Sequence, residues 1–421
     1  MIVKSFVLKQ RSLPRIVSLC EPSTVAVVRP GKKIESLFHE AVRQTVVEKK
    51  RADDTLTAIR EHFLALSENE AFHRQVESTV EALGLYLREA MYVQTHITAI
   101  EDYVLAKGSR LCAEAVHHQT GGRLLDGTQL MVCRQDPHGN QHFDWAASRA
   151  NILARCRVPE GPVVIAGGYG MLDSGYVVRI GKDGSHLMAS LIAAVLEAES
   201  IEFHIESQGV EGLSAMTYDE AAHFCASSHA PFCASAIWPA KNAGVPILVK
   251  DIEDESFEGT LISSGSVHRT AVIEDKDLNL VTVYGTGLLG RVGMSGGIFS
   301  SLAAHDVNVR FIAQTSSEYS ISFAVRSQDK EKALKAIRSL FQENPLLPLD
   351  DVVVLNQAVG IVTVFGSRMR NLPGTSAAVF GKLGAAGINI IASAQGGEEL
   401  SISLVVAEED VDRALELLKK A

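Results

Sequence analysis

The sequence predicts an α/β protein: a mostly parallel sheet with a long helical excursion, followed by two copies of a smaller βαββαβ unit. Three observations predict this class. Strand and helix patterns alternate over most of residues 1–262. A proline-free region with helical periodicity runs from Lys33 to about Gln119. The block 281–325 recurs, without a gap, 81 positions later.

The first part of the chain alternates strands and helices outside the helical region. IVKSFVLK and TVAVV are predicted as short strands on either side of a weak helix, and VVIAGG is typical of a buried parallel strand. Further elements are predicted in this order: strand Leu124 to Val132, strand Val163 to Ala166, helix Ser185 to Glu199, strand IEFHIE, helix Tyr218 to Asn242, strand Val245 to Val249, and a turn-rich connector from Gly259 to Lys276. This alternation predicts a parallel sheet covered by helices on both faces.

Each copy of the repeat follows the order strand, glycine turn, helix, strand, turn, strand, helix. VTVYG and VTVFG are β-branched strands, and YSISFAV and LSISLVV alternate polar and apolar residues as half-buried strands do. Helices on one sheet face would leave the other face available for pairing. Ten positions carry the same residue in both copies: Val281, Gly285, Gly293, Phe299, Leu302, Asn308, Gln314, Glu318, Ile321 and Val325 match Val362, Gly366, Gly374, Phe380, Leu383, Asn389, Gln395, Glu399, Ile402 and Val406.

Composition excludes several classes of protein. The 421 residues suggest two to four domains, and 46% hydrophobic residues are ample for a buried core. The net charge of −10 is spread out without a basic stripe, which disfavours nucleic acid as a partner. No apolar run has membrane-spanning length and no signal peptide opens the chain, so no membrane partner is expected. The six cysteines form no disulfide framework, which favours a reduced, cytoplasmic location.

The repeated unit resembles the ACT domain, the amino-acid-sensing module of biosynthetic enzymes. GLLGRVGMSGGIFSSLAAHDVNV and QTSSEYSISF are similar to the tandem ACT pair of aspartokinases, most of all the threonine-sensitive kind fused to homoserine dehydrogenase. VRIGKDGSHLMASLIAAVLEAESIEF resembles the GR-x-GSD segment of that family. The resemblance implies an amino-acid-kinase-like domain over 1–262, a linker with a first regulatory strand over 263–276, and ACT domains over 277–345 and 346–421. We expect no dehydrogenase part.

The motifs that resemble the kinase site are altered. The family has Lys-Phe-Gly-Gly-Thr-Ser after its first strand, because glycine lets the backbone approach phosphate. Here the segment is Lys4 to Lys9, and Val7 and Leu8 bring bulk into that space. The Asp-Pro-Arg loop of the family is missing. The other altered positions are Ser109 for a glutamate after Gly108, Lys182 for the substrate-binding arginine, His186 for the aspartate of GSD, residues 205–209 for Thr-Asp-Val-Asp-Gly, and Ala230 for the lysine of Gly-Ala-Lys.

These changes predict a degenerate aspartokinase. The leading hypothesis is a catalytically impaired homologue that binds a small amino acid through its ACT domains and acts as a sensor or regulatory subunit, with no cofactor. The alternative is a functional kinase of aspartate or a related small acid, regulated by an aspartate-family amino acid. In that case the resemblance implies Lys4, Lys182 and Ser185 as catalytic residues, with ATP and Mg²⁺. A purely structural subunit is a third hypothesis.

The effector site is predicted from what a free amino acid requires. Its ammonium group needs acceptors, which the side chains of Asn308, Gln314, Asn389 and Gln395 can supply. Its carboxylate needs N–H donors, which the backbone of the turn before the first-copy helix can supply. The residues of that turn are Gly290, Val292 and Gly293. By resemblance, Gln314 and Gln395 match positions that contact threonine, so threonine or lysine is the expected effector.

The first copy is the better candidate for binding. In the second copy, Pro373 removes an N–H group before Gly374, and Gly396 and Gly397 replace serines. The resemblance further implies a two-fold homodimer through the ACT domains, with an active aspartokinase as a candidate partner.

The cluster of His223, Cys225, His229 and Cys233 raises the alternative of a metal site. On one continuous helix, Cys225, His229 and Cys233 would share a face at i, i+4 and i+8. Phenylalanines lie among them, and cysteine is often simple core. The prediction is therefore that no metal is bound.

Overall fold

The computed structural model describes residues 1–92, 97–135, 141–157, 161–181, 183–205, 213–225, 230, 232–254, 256–265, 271–285, 288, 292–317, 319–342, 353–366, 369, 372–397 and 399–419. They form two compact units. The first unit comprises residues 1–222 and 231–265, and the second comprises residues 223–230 and 266–421. None of the helices within these ranges combines the length and apolar character needed to cross a bilayer.

The first unit is built on a large sheet. Its strands are β1 (Ile2–Leu8), β2 (Thr24–Pro30), β3 (Arg123–Asp126), β4 (Val132–Gln135), β5 (Gln141–Phe143), β6 (Val163–Ala166), β7 (Tyr169–Leu172), β8 (Val177–Arg179), β9 (Ser200–Ile205), β10 (Ala215–Thr217), β11 (Ile247–Asp251) and β12 (Thr260–Ser263). Eight strands pair in the order β10-β12-β11-β9-β1-β2-β6-β3, and β5-β4-β7-β8 form a smaller sheet. In the large sheet the pairing is parallel except between β11 and β12, which confirms the predicted parallel sheet.

The helical excursion lies between β2 and β3, as predicted. The excursion consists of α2 (Lys32–Val42), α3 (Asp53–Leu64), α4 (Glu70–Ala90) and α5 (Ile97–Thr120). The other α-helices described up to residue 243 are α1 (Leu13–Leu19), α6 (Trp145–Arg155), α7 (Gly184–Leu196), α8 (Tyr218–Phe224) and α9 (Ile237–Ala243). α4 shows why the sequence folds this way. The side chain of Asn69 caps it by accepting a hydrogen bond from Phe72 N, and Val76, Val80 and Leu87 on its apolar face are buried.

A glycine sets the approach of α5 to α2. A Cβ atom on Gly108 would lie 2.7 Å from Cε2 of Phe38, closer than van der Waals contact allows. The neighbouring Ser109, at the position of the family's glutamate, is 2% exposed inside α5. Gly108 therefore lets α5 pack closely against Phe38 of α2.

Two predicted elements of the first unit are wrong in extent. The predicted strand Leu124 to Val132 is divided, because Asp126 caps a 3-10 turn over Gly127–Gln129 with a hydrogen bond from Thr128 N. The predicted helix Tyr218 to Asn242 is also divided: α8 ends at Phe224, and α9 begins at Ile237 after a short 3-10 turn. The backbone of Cys233 is extended there, which no continuous helix permits.

The second unit contains one antiparallel sheet and four helices among its described residues. The predicted connector Gly259 to Lys276 is partly wrong, because it supplies β12 and the start of β13. The elements are β13 (Ala271–Tyr284), α10 (Met294–Ala304), β14 (Val309–Gln314), β15 (Ser320–Arg326), α11 (Lys330–Gln342), β16 (Val353–Phe365), α12 (Thr375–Ala385), β17 (Ala392–Gln395), β18 (Ser401–Ala407) and α13 (Val411–Lys419). The strand order is β14-β15-β13-β16-β18-β17.

The two repeats share their long first strands. Residues 278–284 of β13 pair with β15, whereas residues 271–275 pair with 361–365 of β16. In the same way, residues 359–365 of β16 pair with β18, and residues 353–359 pair with the later half of β13. A register shift between Asp275 and Leu278 separates the two halves of β13. Each βαββαβ unit is thus completed by a strand segment that precedes the other repeat.

The sheet face without helices is partly buried in the chain itself. Leu278, Leu280, Val359 and Val405 are at most 2% exposed, and Phe311 packs with them. The edge strands β14 and β17 lie close to each other, which shows that the sheet curves around these side chains. The face that the sequence leaves open for pairing is therefore used, at these positions, for packing between the two repeats of the chain. The two helix-covered cores lie on the opposite face.

Candidate functional site

The carboxyl end of β1 is a regular strand where the family motif has a glycine turn. β1 and β2 pair without interruption from Ile2 with Thr24 to Leu8 with Pro30. Aligned from Lys4, the two family glycines fall at Phe6 and Val7, which are 0% and 2% exposed; Leu8, which the sequence analysis also placed in this space, is 2% exposed. The backbone therefore continues as a strand to Leu8 and does not form the glycine turn that would let N–H groups point at a phosphate.

Lys4 belongs to a buried cluster of charged and polar groups on three adjacent strands. Its Nζ lies 3.3 Å from Oε2 of Glu202, which is also 2.8 Å from Nε2 of His204. Nζ of Lys250 lies 3.8 Å from the other carboxylate oxygen of Glu202. Strand register explains the cluster, because Lys4 pairs with Glu202 and Lys250 pairs with His204. The ring of Phe6 stacks on His204 with centroids 4.7 Å apart.

The environment keeps Glu202 ionised. Burial by itself would raise the pKa of its carboxyl group, but the hydrogen bond with His204 and the charges of Lys4 and Lys250 lower this pKa to about 2. Burial lowers the pKa of His204 against the opposing effect of Glu202. At neutral pH the cluster therefore consists of one carboxylate, two lysines and a neutral imidazole. Sequence analysis missed Glu202 and His204, although polar residues at alternate positions of the apolar strand IEFHIE were a usable signal.

Ser185 lies on the other face of the large sheet. It opens α7, whose His186 ring packs on Phe203 with centroids 4.6 Å apart. Because strand side chains alternate, Phe203 points away from the face that carries Glu202 and His204. The structure therefore does not bring Ser185 together with the buried cluster around Lys4. Lys182, the third predicted catalytic residue, lies outside the described residues.

The start of α7 is buried and polar. Ser185 and His186 are 1% and 0% exposed, and no described residue forms a hydrogen bond with the Ser185 hydroxyl or with either ring nitrogen of His186. Burial, together with the charge of Arg29, holds the pKa of His186 well below its ordinary value. The guanidinium of Arg29 lies 3.7 Å from Glu35 and 3.6 Å from Asp183. These ion pairs lie at the carboxyl end of β2 and were not predicted.

The first ACT-like repeat contains a cavity at the predicted effector position. It has a volume of about 310 Å³ and is lined by the start of α10, the end of β14 and nearby apolar residues: Leu288, Val292, Gly293, Met294, Ser295, Gly296, Gln314 and Ile321. Gly293 adopts the left-handed conformation, φ 89°, and α10 has no side-chain cap. The amide oxygen of Gln314 accepts a hydrogen bond from Ser295 Oγ at 3.2 Å. Amide donors and a side-chain acceptor therefore meet in one cavity.

The other predicted effector residues are distributed differently. Asn308 is exposed and precedes β14, whereas Gln314 ends that strand. Six residues of strand separate their backbones by roughly 20 Å, so one small amino acid cannot contact both within a protomer. Asn308 is absent from the lining of the cavity. Gly290 lies outside the described residues.

The second repeat reproduces the local geometry. Gly374 has φ 92° ahead of α12, and Gln395 accepts a hydrogen bond from Ser376 Oγ at 3.5 Å. Asn389 is exposed, as Asn308 is in the first copy.

The helix on which the metal alternative depends is not continuous. α8 ends at Phe224, so Cys225 and Cys233 do not share a helix face. His229 lies outside the described residues. Within the part of the chain that the structure describes, no group of three or more His, Cys, Asp or Glu side chains is arranged to hold a metal ion.

Comparison with known proteins agrees with this architecture. The family model of the ACT domain (ACT_9) matches residues 281–341 and 362–421. In fold, the chain is similar to aspartokinase III of E. coli in complex with aspartate and ADP. That structure is 19% identical with a TM-score of 0.80, and the match covers 100% of this chain and 99% of the other. The fold and the family-model match thus define an α/β protein whose residues 281–341 and 362–421 are ACT-like.

Sequence relatives agree with this comparison. The chain is 27% identical over 444 residues to bifunctional aspartokinase/homoserine dehydrogenase 1 of Zea mays, covering 95% of this chain and 47% of the relative. It is 28% identical over 315 residues to aspartokinase 2 of Bacillus subtilis, covering 70% of this chain and 74% of the relative. The chain spans about half the length of the curated relatives that it matches first. The predicted resemblance is confirmed: over most of its length the chain is similar to aspartokinases.

Proposed function

We propose that this aspartokinase homologue is impaired in phosphoryl transfer and binds a small amino acid in the Gln314 cavity, acting as a sensor or regulatory subunit. The observation that carries the proposal is the uninterrupted pairing of β1 with β2 through Phe6 and Val7. The strand continues through these buried side chains in place of the glycine turn that would let the backbone approach a phosphate. The separation of Lys4 and Ser185 on opposite sheet faces supports the same proposal.

Threonine and lysine are the proposed effectors. The cavity offers an acceptor at Gln314 and uncapped amides at the start of α10, which suit the two charged ends of an amino acid. Aspartokinase III of E. coli has been solved in complex with lysine and aspartate. We further propose cytoplasmic location, a homodimer through the ACT domains and an active aspartokinase as a partner.

Titration calorimetry on the full chain tests the proposal. Threonine or lysine should bind saturably to the parent protein, and ATP with Mg²⁺ should produce no binding isotherm. Micromolar affinity for ATP with Mg²⁺ would contradict the impaired kinase. If neither threonine nor lysine binds to the normally folded protein, the sensor function is contradicted and a purely structural subunit is favoured.

The alternative function is a working kinase of aspartate or a related small acid. The cationic groups of Lys4 and Lys250 around Glu202 favour it, because phosphoryl transfer requires positive charge near the phosphates. ATP and Mg²⁺ would then be the cofactors. Incubation with ATP, Mg²⁺, aspartate and hydroxylamine distinguishes the two functions. Hydroxamate formation at about 1 s⁻¹ or faster, the low end for ordinary kinases, would establish the alternative.

A further inference from the structure

A second cavity lies at the amino-terminal edge of the large sheet. Its volume is about 750 Å³, within the range of small-molecule sites. Met1, Ser23 and Gly161 line it, and these residues precede β1, β2 and β6. The cavity therefore lies at the end of the sheet opposite to the carboxyl ends of β1 and β2. None of its lining residues belongs to the buried cluster around Lys4 or to the Gln314 cavity.

One wall of this cavity is a stripe on α6 and the residues that follow it. Arg149 and Leu153 occur at i and i+4 on one face of α6, and Arg157 follows the end of that helix; all three line the cavity. Arg149 and Arg157 are exposed, and Leu153 between them is half-buried. The lining thus combines two exposed arginines with the apolar side chain of Leu153.

The opposite wall is the end of α7. Val195 and Leu196 line the cavity there, together with Glu197, whose backbone is left-handed with φ 51°. Glu197 is the acidic residue among the described lining residues, against the two arginines. The charge balance favours an anion, and the apolar walls favour an organic one, because an inorganic ion would leave them in contact with water. Guanidinium groups bind carboxylates through paired N–H donors.

We propose that this cavity, the α6–α7 cavity, binds a small organic carboxylate with an apolar body. Arg149 and Arg157 hold the carboxylate, and Leu153 and Leu196 pack on the body. The proposal does not depend on the impaired kinase or on the effector at Gln314. It adds a small-molecule site on the first unit of the chain, separate from the Gln314 cavity of the second unit.

Ligand-observed NMR on the full chain tests the site with hexanoate, adipate, hexylamine and inorganic phosphate. Hexanoate should bind saturably, whereas hexylamine should show no binding because it carries the wrong charge. Phosphate should compete at least tenfold less well than hexanoate. Adipate distinguishes the use of the two arginines: tighter binding than hexanoate shows that each holds one carboxylate, and equal binding shows that both converge on one.

The double variant Arg149→Ala/Arg157→Ala should weaken hexanoate binding at least tenfold. The exposed Arg155 on the same helix does not line the cavity, so Arg155→Ala is the matched control and should leave binding unchanged. Replacement by lysine at both positions keeps the charge without the fork and should give an intermediate loss. Unchanged hexanoate affinity in the double variant, or equal competition by phosphate, would overturn the proposal. Threonine titration of the same variant should match the parent, which separates this site from the Gln314 cavity.

Discussion

The side chain of Asp275 offers a quantitative test of how the two ACT repeats are joined. It lies at the register shift of β13, between the half that serves the first repeat and the half that serves the second. Its carboxylate accepts hydrogen bonds from Nε and a terminal nitrogen of Arg310 at 2.9 and 2.8 Å. Its other oxygen lies 2.9 Å from Arg326 as an ion pair without hydrogen-bond alignment. We expect Asp275→Ala to loosen the whole second unit.

The magnitude follows from burial. The side chain of Asp275 is 8% exposed, whereas those of Arg310 and Arg326 are 23% and 30% exposed. Removing one partner of a fully buried ion pair costs about 3–5 kcal/mol, and a hydrogen bond to a charged group contributes about 1.5–3 kcal/mol. Both arginines can regain some water after the substitution. The expected loss of stability of the second unit is therefore about 2–3 kcal/mol.

Hydrogen–deuterium exchange with mass spectrometry measures this loss on the full chain. Protected peptides of β13 and β15 should exchange roughly 30- to 150-fold faster, while peptides of α4 in the first unit should be unchanged. The neighbouring Lys276→Ala is the matched control, because Lys276 pairs with Asp412, which is 76% exposed, and such pairs contribute about 1 kcal/mol or less. If Asp275→Ala and Lys276→Ala change exchange equally, the buried ion pair does not stabilise the junction.

Three further predictions concern binding, pH and packing. Gln314→Ala should weaken amino-acid binding roughly ten- to hundredfold by calorimetry, because a hydrogen bond to a charged ammonium contributes about 1.5–3 kcal/mol. Gln395→Ala should weaken binding less. Equal affinities for both variants and the parent would contradict the site. The lowered pKa of buried His186 means that the unfolded chain binds its proton first, so stability should fall as the pH drops below the ordinary pKa of 6.5. Urea midpoints at pH 7 and pH 5 should show this decrease in the parent and a smaller one in His186→Leu; identical decreases would show that His186 is not responsible. Gly108→Ala should lower the free energy of unfolding in urea by about 1–3 kcal/mol through overpacking. The control Gly84→Ala, whose nearest contact would be an ordinary 3.4 Å, should be neutral or stabilising; a neutral Gly108→Ala would show that α5 can shift without cost.

Local patterns in the sequence determined which elements form. The 81-residue repeat predicts two βαββαβ units because glycine turns, β-branched strands and amphipathic helices depend on neighbours a few residues away. The same holds for β1, β2 and the helical excursion between β2 and β3, which the structure confirms. The position of Gln314 beside the start of a glycine-capped helix also followed from its register in the repeat, and the structure places it in a cavity.

Tertiary structure alone decided which elements meet. Residues 271–275 complete the sheet of the second repeat, and the buried cluster of Lys4 and Glu202 joins strands that are almost 200 residues apart in the chain. The separation of Lys4 from Ser185 depends on which sheet face α7 covers, and the early end of α8 divided a predicted helix. Which distant strands pair depends on how the whole chain folds and on the burial of both faces of the sheet. The periodicity of a segment indicates which of its faces is buried, but it does not indicate which other element covers that face.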